Sequence, residues 1–395
     1  MRFLILSILA LATVANCLAV DVLFAPSKKL PETIEQELDA ANESIDLAIY
    51  SFTDTRAQKK LIEAAQRGIA VRVILHNARK QSKLADKIEE SGGDVRYVTK
   101  IMHHKFAVFD RKRLLTGSAN WSRSAYSRYD EDLLIFGESD QDYTDRFIGE
   151  FEHIWGNAKE YGETRFKAKE YVVSNADVTF TSANLEVTQY RGQPTFRTAA
   201  ELPGACGSRL IKAIQAADSE ILIASAHFRR FDLHNELLLA MQRGVKVRMV
   251  FDQQEFHYAG TKTPNALYDE ALQRAGAEVR YKVYSRFWDY RTALQLHLKC
   301  MVVDRQEVLT GSLNWSENAE LGTFENLVVI DDEETVAKYV ERYQMIDSYG
   351  KGKLDGLVAG IRKEDGKGPC TFKPITLNGE ELAFLRKQYK ASACQ

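Results

Sequence analysis

Short apolar runs rich in valine and isoleucine alternate along the chain with segments that are apolar on one helical face only. Ile45 to Phe52 reads IDLAIYSF, and Arg56 to Gln66 behind it is amphipathic. Runs this short fit buried strands, and the segments between them fit surface helices. The pattern occurs twice. Asp21 to Phe24 (DVLF) recurs as Asp177 to Phe180 (DVTF), Ile45 to Phe52 as Ile221 to Phe228 (ILIASAHF), and Gln66 to Val73 (QRGIAVRV) as Gln242 to Met249 (QRGVKVRM). Each half is expected to run strand, helix, strand, helix, strand, then a pair of β-strands. That alternation predicts an α/β fold with a mixed sheet in each half.

The copies drift apart. They are offset by 156 residues at their first strand, by 176 at the next landmarks and by 194 near their ends. The second copy therefore gains 20 residues within about 183–207 and another 18 between Asp252 and His297. The second insertion holds the aromatic and basic segment Tyr284 to Arg291 (YSRFWDYR). Long insertions beside a site often carry function. The expected domains are 20–160 and 176–348, with a linker over Lys159 to Asn175. A tail, 349–395, is rich in Gly and Lys up to Pro369 and then has one helix, roughly Gly379 to Tyr389, capped by Asn378.

Composition narrows this only slightly. A net charge of -2 gives no global basic field, so an anionic partner must meet local basic clusters. Arg2 followed by the apolar run Phe3 to Ala15 reads as a signal peptide, with cleavage expected after Ala19. No later segment reads as transmembrane. Of the four remaining cysteines, Cys370 with Cys394 is one disulfide candidate, and Cys206 with either is an alternative. Cys300 is expected as a buried free thiol. Secretion to the periplasm or the medium is the expected destination. The sequons Asn120-Trp121-Ser122 and Asn314-Trp315-Ser316 favour a bacterial setting, because glycans there would obstruct the candidate site.

The chemistry sits in a pattern, H-x-K-x4-D-x6-G-S-x-N-W-S, present in both copies at the offset of 194. The first copy is His103, Lys105, Asp110, Gly117, Ser118, Asn120, Trp121 and Ser122. The second is His297, Lys299, Asp304, Gly311, Ser312, Asn314, Trp315 and Ser316. Glu131 and Glu325 each follow their histidine by 28 residues. On a strand, His103 and Lys105 share one face, while His104, Phe106, Val108 and Asp110 share the other. Leu298 and Cys300 take the second face in the other copy. His104 is thus not part of the repeated function, and Asp110 and Asp304 are expected to support rather than react.

A phosphodiester is an anion that repels nucleophiles. Lysine ammonium groups and asparagine amides can bind its non-bridging oxygens. A neutral imidazole can attack phosphorus, and a protonated one can donate to the departing oxygen. One site then needs two histidines in opposite protonation states, which one motif per half supplies if the halves face each other. The glutamates would orient the imidazoles by accepting their second N–H. The catalytic candidates are His103, Lys105, Asn120, His297, Lys299 and Asn314. The supporting candidates are Asp110, Ser118, Glu131, Asp304, Ser312 and Glu325. No metal or cofactor is called for.

These motifs resemble those of the phospholipase D superfamily, and the resemblance spans about Val20 to Ser348. It implies an α/β/α sandwich in each half, a pseudo-two-fold axis, one shared site and a phosphohistidine intermediate formed without metal. By the same resemblance His103 is the nucleophile and His297 the general acid and base. A monomer is expected, because both motifs lie in one chain. Met102-His103-His104-Lys105 and Ala48 to Phe52 (AIYSF) are similar to the Nuc-type endonucleases and the cardiolipin-hydrolase branch. Ala226-His227-Phe228 departs from that wording.

Two substrate classes follow. A nuclease reading draws on Arg79, Lys80, Lys83, Arg111 to Arg113, Arg123 and Arg128, with Phe287, Trp288 and Tyr290 available to stack bases beside Arg286 and Arg291. A phospholipase D reading has the same aromatic segment dip into a lipid interface. A cardiolipin-synthase role is disfavoured, since those enzymes carry membrane helices ahead of the motifs.

Overall fold

The computed structural model describes residues 20–76, 80–259, 268–363 and 370–389. The expected signal peptide, Arg79 and Cys394 lie outside them. Two eight-stranded mixed sheets dominate the structure. In spatial order the first runs Asp21–Phe24, Asp132–Phe136, Arg113–Thr116, Lys105–Phe109, Ser44–Ile49, Ala70–Leu75, Asp94–Tyr97 and Lys159–Glu160. The second runs Val178–Phe180, Asn326–Ile330, Glu307–Gly311, Lys299–Val303, Glu220–Ser225, Lys246–Asp252, Glu278–Ser285 and Thr371–Asn378. Each central strand pairs in parallel with the next strand of its α/β units and antiparallel with the strand carrying the motif. Every residue of Ser44–Ile49 is buried, as a strand covered on both faces must be.

The core has three parts. Helices Lys29–Ala40, Thr55–Gln66 and Ser82–Glu90 cover the outer face of the first sheet. Helices Gly204–Ala216, Phe231–Gln242 and Gly379–Gln388 do the same for the second. Between the sheets lies one shared cluster, to which Phe106, Phe147 and Trp155 contribute from the first half and Val302, Tyr339 and Tyr343 from the second. The halves therefore bury their inner faces against each other through helices Gln141–Asn157 and Glu333–Asp347. A buried cation anchors this layer. Arg72 grips Asp46 (2.7 Å from both Nε and Nη2) and Glu152, and its guanidinium lies 4.9 Å from the Phe151 ring centroid.

The structure adds elements to the expected series. Helix Ser82–Glu90 and strand Asp94–Tyr97 intervene before the motif strands, as Tyr268–Arg274 and Glu278–Ser285 do in the second half. The expected linker begins as an edge strand, Lys159–Glu160. It then runs without regular structure, held by bonds such as Phe166 N to Asp94 (2.9 Å) and Lys169 N to Glu152 (2.8 Å). The first insertion is a hairpin, Leu185–Tyr190 with Gln193–Thr198. The presumed tail contributes a strand. Thr371–Asn378 completes the second sheet along Glu278–Ser285, with Pro374 tolerated on this edge. Its helix starts where expected, with Asn378 and Glu381 forming a capping box. Cys370 is in a disulfide, whereas Cys206 is free and buried, which removes the Cys206 pairings. Cys300 is also a buried free thiol.

Candidate active site

The motif strands bring their lysines to one place from opposite halves. Phe106 and Val108 point into the shared core, as do Cys300 and Val302, while Lys105 and Lys299 take the other face at the strand ends. The histidines lie just ahead of the strands rather than in them. His103 N donates to Phe324 O (3.1 Å) and His297 N to Asp130 O (2.9 Å), so each histidine's backbone is fixed by the opposite half. Each lysine ammonium donates to the backbone carbonyl of its own motif histidine.

The glutamates cross over. His103 Nδ1 lies 2.8 Å from Glu325, and His297 Nδ1 lies 2.8 Å from Glu131. Each copy's trailing carboxylate thus orients the other copy's imidazole and leaves its Nε2 for chemistry. Sequence spacing could suggest the glutamates but not this exchange. Ser118 Oγ accepts Asp132 N–H (2.9 Å) and Ser312 Oγ accepts Asn326 N–H (3.0 Å). The preceding glycines are required. A Cβ on Gly117 would meet Asp132 O at 2.6 Å, and one on Gly311 would meet Asn326 O at 2.5 Å, both at positive φ. The amide oxygens of Asn120 and Asn314 are buried with no hydrogen-bond partner in the protein.

The motif aspartates stand apart from this centre. Asp110 accepts backbone N–H groups from Asn42, Glu43 and Ser44 at 2.7–3.1 Å. Asp304 accepts those of Asp218, Ser219 and Glu220. Each clamps the turn that leads into the central strand of its sheet. His104 is fully buried between Glu150 (3.1 Å) and Asn326 (3.1 Å), away from the reacting face.

Burial sets the electrostatics. Both motif imidazoles are pushed well below their ordinary value by desolvation and then by Lys105 and Lys299. Desolvation brings Lys105 down to about 7, partly offset by Glu325, and Glu325 up to about 7. Glu131 is raised by the same cause. Burial first, and then the two lysines, bias both imidazoles toward the neutral form. An anion bound beside them would restore the proton to one.

Several neighbours escaped the sequence reading because they are not duplicated. The Tyr50 ring lies 4.6 Å from His103 and 4.8 Å from His76. Tyr129 lies 6.1 Å from His297. Asp130, buried, binds Lys282 (2.6 Å) and Arg342 (2.6 Å). In the aromatic insertion, Tyr284 and Trp288 pack with Tyr129, while Phe287 and Tyr290 stay exposed. Arg286 is buried and lies over the exposed Phe287 ring, and exposed Arg291 pairs with Asp289. Arg111 and Arg113 lie at the far end of the motif strand in ion pairs with Glu152 and Glu37. Arg128 ties down the insertion through Arg291 O. A cleft of about 1240 Å³ opens beside Tyr50 and His76, walled by Lys59, Lys80, Lys83 and Lys87 with Tyr290 at its rim. Glu63 and Glu90 also line it.

A family model described as "Cardiolipin synthase, PLD-like domain" matches residues 34–155 and again 210–346. The mitochondrial cardiolipin hydrolase of Canis lupus familiaris is 34% identical over 132 residues, 32% of this chain and 50% of that protein. A phospholipase D of Rickettsia conorii is 29% identical over 133 residues, 33% of this chain and 66% of that one. The chain thus spans half to just under two thirds of these relatives. Phosphatidylserine synthase of Haemophilus influenzae Rd KW20 superposes with a TM-score of 0.55 at 14% identity, covering 82% of this chain and 85% of that one, so the two share a fold. With both halves matched by the one family and the crossed site built from both, the chain belongs to the phospholipase D superfamily.

Proposed function

We propose that this chain is a metal-independent phosphodiesterase that cleaves nucleic acid at one site shared by its two halves. The observation that carries the chemistry is the crossed His–Glu arrangement with Lys105 and Lys299 between. His103 Nε2 attacks phosphorus, and the bond to the leaving oxygen breaks as that oxygen takes a proton from His297 Nε2. His297 then removes a proton from water, whose oxygen displaces His103 and frees the phosphate product. Lys105, Lys299 and the amides of Asn120 and Asn314 hold the non-bridging oxygens. A single chain suffices, since both histidines are in it. A secreted or periplasmic location belongs to the proposal, supported by the disulfide at Cys370.

The lysine-walled cleft supports nucleic acid, because a polyanion can follow its cations as far as Tyr50, whose ring lies 4.6 Å from His103. A phospholipid substrate is the second reading. It is supported by the relatives named cardiolipin hydrolase and phospholipase D, and by exposed Phe287 and Tyr290 beside the site. The deciding experiment incubates the protein, in excess EDTA, with plasmid DNA, RNA, phosphatidylcholine and cardiolipin, each with a His103→Ala control. Cleavage of DNA or RNA alone supports the proposal. Cleavage of lipid alone replaces it with the second reading.

A further inference from the structure

Tyr50 and His76 form a polar pair beside the motif histidines that the repeat does not predict. Each is the first residue beyond the carboxyl end of its strand, Ser44–Ile49 and Ala70–Leu75, and those strands pair in parallel. Ligands of open α/β sheets bind outside such ends. Both backbones are fixed, Tyr50 N donating to His104 O (2.9 Å) and His76 N to Ile49 O (3.2 Å). The Tyr50 ring touches His76 and His103 in turn, at 4.8 and 4.6 Å between centroids. Both side chains are half-buried and line the cleft of about 1240 Å³. His76 Nδ1 is buried with no hydrogen-bond partner. Among the described residues neither its Nε2 nor the Tyr50 hydroxyl has one. The second half repeats none of this. Ala226 and Asp252 stand at the matching positions, and Asp252 is already bonded by Leu296 N (2.9 Å) and Gln254 N (2.9 Å). His227, where the first half has Ser51, is tied to Glu255 (2.7 Å).

Rings with unspent hydrogen-bonding atoms suit a sugar and base better than a phosphate or an acyl chain. Burial, and then Lys80 and Lys105, hold the His76 imidazole below its ordinary value. It therefore meets a ligand as a neutral donor and acceptor rather than as a cation. An acyl chain would cover both groups without pairing either, at the cost of their hydration. We propose that Tyr50 and His76 form a nucleoside subsite, which holds the sugar and base on the His103 side of the scissile phosphate. The proposal deepens the nucleic-acid reading above and rests on it for the substrate class. An in-line attack by His103 sends the leaving group away from that side. The nucleoside at Tyr50 and His76 is thus the one that stays on phosphorus after the first step, and the cleft lysines meet the phosphates beyond it.

Calorimetric titration of the full chain tests this without turnover. The probes are methyl phosphate, thymidine 3′-monophosphate and thymidine 5′-monophosphate. The native protein should bind one of the two nucleotides about tenfold or more tighter than methyl phosphate, as two added hydrogen bonds would give. That advantage should fall to about threefold or less in the double variant Tyr50→Phe/His76→Phe, which keeps both rings and removes the hydrogen-bonding atoms. Each single substitution should lower it by about twofold or more, and the two single variants decide the matter if the double variant does not fold. No nucleotide advantage in the native protein, or one that survives these substitutions, overturns the subsite. So does loss of methyl phosphate binding along with the nucleotide, which would place both residues at the phosphate itself. If the advantage appears and is lost as expected while neither DNA nor RNA is cut, the subsite stands and the nuclease reading falls. If DNA or RNA is cut and the advantage is absent, the reverse holds.

Discussion

His103 takes its orienting carboxylate from Glu325, 2.8 Å away and 222 residues later in the chain. Neither half pairs its motif histidine with its own motif glutamate. Glu325→Gln and Glu131→Gln keep an oxygen that can accept the Nδ1–H but cannot become the carboxylate that a protonated imidazole, by lowering the glutamate's pKa, draws out beside it. Each should lower kcat by about 10²- to 10⁴-fold, as for a triad carboxylate turned into an amide. Steady-state kinetics of the two variants against the native enzyme is the check, and near-native turnover would mean the glutamates only pack.

His103→Ala and His297→Ala should each abolish turnover, since the two imidazoles do different jobs. Alkaline denaturation during turnover of a phosphorus-labelled substrate, which spares the acid-labile N–P bond, should leave the label on a peptide containing His103. Label on the His297 peptide would reverse the two roles and leave the shared site intact.

The pH profile should show an unusual alkaline limb. Below about 7 the Lys105 ammonium is charged and the Glu325 carboxyl is neutral; above it both have lost a proton. The pair thus passes from positive to negative as pH rises, and an anionic substrate is increasingly opposed. KM should therefore climb through neutrality. Because a bound anion raises the Lys105 pKa, kcat should fall only at higher pH. Glu325→Gln removes one of the two lost charges and should flatten the rise in KM.

Asp110, though part of the motif, should behave as a structural residue. Asp110→Ala frees three backbone N–H groups at the turn before Ser44–Ile49. A loss of about 1–3 kcal/mol in stability is expected, with turnover per folded molecule unchanged. Because the folded carboxyl titrates below its ordinary value, this contribution is present above the unfolded pKa and is lost as pH falls through the folded one. Denaturant titrations at neutral and acid pH measure both.

Arg72 offers a contrast in the shared core. Arg72→Met would leave Asp46 and Glu152 as buried carboxylates without their cation. Destabilisation by about 3–5 kcal/mol is expected, the cost of breaking rather than replacing a buried pair. Chemical denaturation reads it directly.

The chain announced its sheets and its motif because both depend on local period and on repetition. Alternation placed Cys300 and His104 away from the lysines, and Asn378 with Glu381 marked a helix start. The crossed glutamates were hidden because spacing along the chain carries no information about which half answers which. His227 stood out in the sequence only as a departure from the expected wording, and nothing there tied it to Glu255. The strand Thr371–Asn378 follows a Gly- and Lys-rich stretch and contains a proline, and its place was decided by the open edge of Glu278–Ser285.

The single copy of the His227–Glu255 pair follows from covalent fusion. In a dimer of identical subunits every residue appears on both sides of the axis, so a group useful to the departing end of a substrate must also confront the entering end. Joining the halves removes that obligation. One wall of the site can be rebuilt while its mirror image stays as it was.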